Sequence, residues 1–211
     1  TKEEDVVKSL FMTSNHQSLL CFTNNGRVYD IKVYQVPEAP LRSKGKHFAN
    51  IVKLEEGERV VSVLPVKAFT EGLHIVSVTA QGYIKKTELI AYDNIRTSGI
   101  IGLKLEDGDT LVSCAITNGK NDIIIATKQG KAIRFNEEET RPMGRSARGV
   151  TGVRFGEEED SVIGMEVIDG DSSILTVCEN GFGKRSPLDE YRQQTRGGKG
   201  IYTIKVSERN G

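Results

Sequence analysis

The sequence predicts an all-β protein, a repeat array of four-stranded, propeller-like blades, and three observations carry that prediction. Four glycines, Gly26, Gly82, Gly130 and Gly181, each follow a short apolar run, at spacings of 56, 48 and 51 residues. A second glycine recurs in each unit, at Gly45, Gly99, Gly149 and Gly200, behind basic or small residues. An apolar run and an acidic turn follow it, as in Glu55-Glu56-Gly57-Glu58 and Glu106-Asp107-Gly108-Asp109. A period near 50 residues made of short strands marks an array of sheet modules, which displays surface rather than enclosing a catalytic pocket in each unit.

Within one repeat, the first element is the apolar run before the first glycine, such as Ile75-Val76-Ser77-Val78 or Ile123-Ile124-Ile125-Ala126. The glycine then closes a hairpin. Asn25-Gly26 and Asn180-Gly181 favour the positive φ of tight turns, with Gln81-Gly82 and Gln129-Gly130 as weaker versions. The next strand alternates: Tyr29, Ile31 and Val33 take one face, Asp30 and Lys32 the other, which reads as a half-exposed strand with a basic outer face. A loop leads to the second glycine. Closing strands follow at Val60–Leu64, Thr110–Cys114 and Ser161–Met165, apolar enough to be expected buried on both faces. Residues 6–13 look like the closing strand of an earlier repeat, and Asn210-Gly211 precedes the last repeat's own closing strand. The expectation is therefore one partial β-pinwheel domain over residues 1–211, four visible repeats long, with the first and last incomplete.

Composition fits a globular chain of 211 residues, with 37% hydrophobic and 27% charged residues. Cys21, Cys114 and Cys178 lie in apolar strand contexts and read as reduced thiols. None has metal-ligand spacing to another cysteine or to His16, His47 or His74. Net charge is zero but segregated by repeat position. Residues 24–47, 81–99, 128–149 and 181–200 carry 19 Lys+Arg against 9 Asp+Glu, a net +10. The rest carry 10 against 20, a net −10. In a radial array one repeat position maps to one zone, so the pattern predicts a basic rim suited to a polyanion.

The candidate contacts follow from that zone. On the strand after the first glycine they are Lys85, Lys86, Arg134, Lys184 and Arg185. In the loops before and around the second glycine they are Arg42, Lys44, Lys46, Arg96, Arg145, Arg148, Arg196 and Lys199. Small residues there would let a phosphate approach backbone N–H groups between flanking cations. Any one cation is most simply a solvated side chain; four repeats placing them alike favours a shared role. No catalytic or metal-binding residues are expected, and no phosphate-binding Gly-x-x-x-x-Gly-Lys-Ser/Thr loop occurs.

The segment Gln194-Thr195-Arg196-Gly197-Gly198-Lys199-Gly200 matches six of the seven residues of the Gln-Arg-Arg-Gly-Gly-Lys-Gly box of the DNA gyrase A C-terminal domain, departing at Thr195. Lys2-Glu3-Glu4-Asp5, Gly26-Arg27-Val28-Tyr29, Lys32-Val33-Tyr34-Gln35, Gly183-Lys184-Arg185 and Lys205–Gly211 also resemble gyrase A segments. The resemblance implies a six-bladed β-pinwheel whose neighbouring blades exchange strands and whose basic rim wraps double-stranded DNA, supporting ATP-dependent negative supercoiling. It implies no cofactor in this chain, with ATP and Mg confined to the parent enzyme. It also implies two partners, the N-terminal region of gyrase A and the gyrase B protein, and a bacterial cytoplasmic, nucleoid-associated setting. In that family the box lies in the first blade; here it falls in the fourth visible repeat and reads as a later-blade echo. The alternatives are the similar C-terminal domain of topoisomerase IV, which wraps DNA little, and a protein-binding propeller, which would call for aromatic or apolar rim residues.

Overall fold

The computed structural model describes residues 7, 9–156 and 159–211. In chain order the strands are β1 (Ser18–Thr23), β2 (Arg27–Lys32), β3 (Val60–Val66), β4 (His74–Thr79), β5 (Tyr83–Glu88), β6 (Ile100–Ile101) and β7 (Leu111–Thr117). They continue with β8 (Asp122–Thr127), β9 (Lys131–Asn136), β10 (Val150–Thr151), β11 (Val162–Ile168), β12 (Ser173–Val177), β13 (Gly183–Pro187) and β14 (Ile201–Tyr202). All pairings between these strands are antiparallel. Three four-stranded sheets have the orders β3-β1-β2-β6, β10-β5-β4-β7 and β11-β8-β9-β14, and a fourth sheet holds β12-β13. The first-glycine hairpins are thus β1/β2, β4/β5, β8/β9 and β12/β13, as the glycine spacing predicts.

Neighbouring blades exchange strands. The short strand after the second glycine of each repeat, β6, β10 or β14, completes the sheet of the repeat before it. The joint is built on the hairpin glycine. Gly26 O accepts the N–H groups of Gly102 and Leu103, Gly82 O those of Gly152 and Val153, and Gly130 O those of Thr203 and Ile204. At Gly82, φ is +86° and a Cβ would lie 2.7 Å from the Val153 carbonyl oxygen. The residue is therefore glycine both for the left-handed turn and because the incoming backbone occupies the side-chain position. The acidic turns seal the same hairpins: Asp109 Oδ1 accepts from Gln81 N and Asp160 Oδ1 from Gln129 N, both at 2.9 Å.

Burial corrects the strand reading in two places. The closing strands β3, β7 and β11 are mostly half-buried, and Ile163 is 59% exposed. Each lies at a sheet edge, whereas β1, β4 and β8 lie between two partners and are buried almost throughout. The core accordingly runs between blades: Leu20, Phe22, Val28, Ile75 and Leu111 form one cluster, and Val76, Ile84, Ile123, Ile133 and Phe135 the next. The closing strand expected over residues 6–13 is not formed by Val7 and Ser9–Thr13; Val6 and Lys8 lie outside the described residues, as does Lys2–Asp5. Cys21 and Cys114 are buried free thiols, and Cys178 is partly exposed. Burial pushes the Cys21 thiol up to about 12.

Candidate nucleic-acid interface

Sheet order sets the direction of each blade. Closing strands of successive blades pack on one another, β3 on β7 and β7 on β11, so they converge on the centre of the array. The exchanged strands β6, β10 and β14 occupy the opposite edges and face outward. The loops that lead into them, Ile95–Gly99, Met143–Gly149 and Gln194–Gly200, therefore line the rim. The first loop differs. Residues 41–47 run into a 3-10 turn at Phe48–Asn50 instead of a strand, and Gly45 has open space where Gly99, Gly149 and Gly200 press on the preceding blade.

Eight of the sequence candidates are exposed: Arg42, Lys44, Lys46, Arg96, Arg148, Lys184, Arg185 and Lys199. Arg145 is half-buried. Four candidates are held within the fold, and two of these correct the surface reading outright. Lys85 and Lys86 are 0% and 3% exposed. They point to opposite faces of β5: Lys85 to the inner face occupied by Tyr29 and Ile133 in other blades, and Lys86 to the face assigned to solvent, which the next repeat covers through Glu137. Lys85 Nζ donates to the carbonyl oxygens of Gly102 and Arg145, both at 2.5 Å. Lys86 Nζ donates to Glu137 O at 2.8 Å, with the Glu137 carboxylate 3.9 Å away. Burial lowers the pKa of both lysines. Arg134 pairs with Asp122 at 2.7 Å and donates to the carbonyls of Leu188 and Tyr191 in the next repeat. Arg196 donates to the carbonyls of Glu139 and Thr151.

The small residues of the loops also serve a different purpose from the one expected. A Cβ on Gly149 or Gly200 would strike the carbonyl oxygen of Ile84 or Ala132, so these glycines admit the preceding blade rather than a phosphate. Three N–H groups at the middle of the box-like segment are engaged as well: Arg196 N donates to Glu139 Oε2, Gly197 N to Gly152 O and Gly198 N to Thr195 O. These three N–H groups are thus taken by the fold, and the exposed side chains are what the segment offers to an anion.

Two exposed cations that the sequence reading passes over belong to the same zone. Arg141 and Arg192 each lie eleven residues after a hairpin glycine, beside the bridges Lys86↔Pro142 and Arg134↔Gln193. Their shared repeat position was the available signal. Arg148 sits 4.8 Å over the Tyr83 ring and 3.0 Å from Glu106, and Lys131 sits 5.1 Å over Tyr202, so aromatic faces orient two of the cations.

The box-like segment thus divides between fold and surface. Arg196→Ala is expected to lower stability by about 1–2 kcal/mol, since it removes two side-chain hydrogen bonds to main-chain carbonyls of the preceding repeat, the one to Thr151 O partly buried. Lys199→Ala, exposed and unbonded to other described residues, should change stability by less than ~0.5 kcal/mol. Urea denaturation midpoints separate the two; equal midpoints would show that the Arg196 contacts carry no stability.

An array of strand-exchanging blades with its free cations on the outer edge is a propeller-type surface module. The chain belongs to the DNA gyrase C-terminal domain, beta-propeller, family, whose model matches residues 17–67, 73–118, 121–169 and 172–210, one segment per repeat. It is 49% identical over its whole length to the DNA gyrase A protein of Clostridium acetobutylicum. The chain spans about a quarter of the length of the curated relatives it matches. Among solved structures, it is similar to the C-terminal domain of DNA topoisomerase IV, at 30% identity and a TM-score of 0.84 over 93% of this chain and 61% of that one. It is also similar to the DNA gyrase A C-terminal domain, at 26% identity and a TM-score of 0.80 over 94% and 64%.

Proposed function

We propose that this chain binds double-stranded DNA along the outer edges of its blades and bends it around the array, as the DNA-wrapping part of a DNA gyrase A protein. The observation that carries this reading is the placement of charge. Exposed cations such as Arg96, Arg148 and Lys199 gather on loops at the outward sheet edges. Asp109 and Asp160 of the acidic turns instead fold back onto the hairpins, while Glu106 reaches Arg148. A duplex tracked through side-chain cations is read through its phosphates, without base contacts that would impose sequence. Wrapping would support ATP-dependent negative supercoiling by a bacterial cytoplasmic parent enzyme, with strand breakage in the N-terminal part of gyrase A and ATP hydrolysis in gyrase B.

The similarity to the topoisomerase IV domain supports a second reading, in which DNA is bound but not wrapped. A topology assay separates them. Relaxed closed-circular DNA is incubated with the chain, treated with a nicking-closing enzyme, and deproteinised. Wrapping leaves a linking-number change that grows with protein concentration. Retained binding with no linking-number change would favour the topoisomerase IV-like role, and absence of binding would remove both.

A further inference from the structure

Lys85 is an ammonium group in a place where the fold does not require one. Third after the hairpin glycine, its equivalents are Tyr29 in the first blade and Ile133 in the third, both buried, and Lys184 in the fourth, which is exposed. An isolated cation taken from water costs several kcal/mol unless its hydrogen bonds are made, and an apolar side chain at this position would avoid that cost. The partners found for Lys85 among the described residues are main-chain carbonyls of two different repeats. Gly102 O lies just beyond β6, in the segment the second repeat gives to the first blade, and also accepts from the Tyr92 hydroxyl at 3.3 Å. Arg145 O lies midway along the rim loop of the third repeat.

Besides the Arg148 contacts with Glu106 and Tyr83, that loop has two main-chain ties to the second repeat. Met143 N donates to Lys86 O at 2.8 Å near its start, and Ala147 O accepts from Lys104 N at 3.3 Å near its end. Lys85 supplies the tie between them. We infer that Lys85 is a positioning residue for DNA binding: by gripping the main chain at Arg145 from inside the blade, it holds the Met143–Gly149 loop so that Arg145 and Arg148 face the same duplex track. The inference rests on the DNA-binding reading above, and Lys85 itself never meets the phosphate.

The test is a cycle of three variants, Lys85→Met, Arg145→Ala with Arg148→Ala, and all three together, in the full chain. Duplex affinity is measured by fluorescence anisotropy over a salt series, with thermal melts run alongside. Removing the two arginines should lower the salt slope by about 2. Lys85→Met should weaken binding about tenfold and lower the slope without touching any surface charge, and the combined variant should bind no worse than the arginine pair alone, since groups acting through one another are not additive. Lys85→Met that binds like the parent, or whose loss adds in full to that of the arginine pair, overturns the inference.

If Lys85→Met does not fold, the unaltered chain decides. Burial lowers the Lys85 pKa to about 8. The titratable and charged groups facing it are the Cys114 thiol on β7 and the Tyr92 hydroxyl, both raised by burial and uncharged in this range, and Arg145 in the loop. Between pH 7 and 9 its charge-assisted grip on the two carbonyls is therefore lost. Affinity should fall with it in the parent and stay level in the Arg145/Arg148 variant; a parent insensitive to this pH change overturns the inference. A parent chain with no salt-dependent duplex binding overturns the DNA reading as well, whereas a parent that binds while Lys85 proves uncoupled overturns this inference alone.

Discussion

Raising salt from 50 to 200 mM is expected to weaken duplex binding by roughly 10³–10⁵-fold, with little dependence on DNA sequence. The magnitude follows from counting cations that can reach a phosphate. Lys85, Lys86, Arg134 and Arg196 are held within the fold, as shown by their bonds to main-chain carbonyls. Arg42, Lys44, Lys46, Arg96, Arg148, Lys184, Arg185 and Lys199 remain exposed, joined by Arg141 and Arg192 and by the half-buried Arg145. If roughly 6–10 of these neutralise phosphates, each contributes about 0.9 to the slope of log affinity against log salt. Among the described residues one acidic-turn carboxylate pairs with a counted cation, Glu106 with Arg148 at 3.0 Å, whereas Asp109 and Asp160 turn to the N–H groups of Gln81 and Gln129 on the hairpins. Fluorescence anisotropy with two unrelated duplexes checks both halves of the expectation. A flat salt response would show that the rim cations do not meet a polyanion, and a strong preference for one duplex would show base readout that these loops are not built to give.

The parts of this architecture that were legible in the sequence are those written in local chemistry. Asn25-Gly26 and Asn180-Gly181 announce hairpins because positive φ is needed there, and the structure turns at both, with φ +80° and +81°. Strand exchange left no comparable trace in single residues. β6, β10 and β14 are two residues long, too short to alternate, and only the family resemblance implied them. The candidate site was misjudged at both Lys85 and Lys86. Lys85 falls on the inner face with Tyr29 and Ile133, where the alternation already points away from solvent, whereas for Lys86 the strand pattern gives the face but not that the next repeat covers it. The same limit explains the closing strands: Val60-Val61-Ser62-Val63-Leu64 is apolar because one face meets neighbouring closing strands near the centre, yet the strand keeps a sheet edge and stays half-buried.

Lys86→Met is expected to destabilise the chain by about 3–5 kcal/mol while leaving the salt slope of the surviving folded protein unchanged. Glu137 is 0% exposed, and its carboxylate is already committed: Oε2 accepts from Thr117 Oγ1 and Oε1 from Asn121 N, each at 2.8 Å. Those bonds hold it in a site where Lys86 is the nearby positive charge, at 3.9 Å. A methionine of similar length would fill the space but leave a buried carboxylate without its counter-charge, and breaking one side of such a pair costs far more than removing both. Lys86→Met combined with Glu137→Gln should therefore recover part of the loss, since the amide oxygen can still accept one of the two bonds and no charge remains; a coupling of about 0.5–3 kcal/mol is expected for groups in contact. Chemical denaturation of the two single variants and the pair measures it. Arg134 holds the equivalent position, fourth after Gly130, and reaches the next repeat through Leu188 O much as Lys86 reaches it through Glu137 O. A buried cation at this position thus ties one blade to the following one, and its removal should loosen the joint between repeats rather than the grip on DNA. Were Lys86→Met to melt like the parent and lower the salt slope by about 1, Lys86 would instead be the surface phosphate contact that the strand alternation suggests.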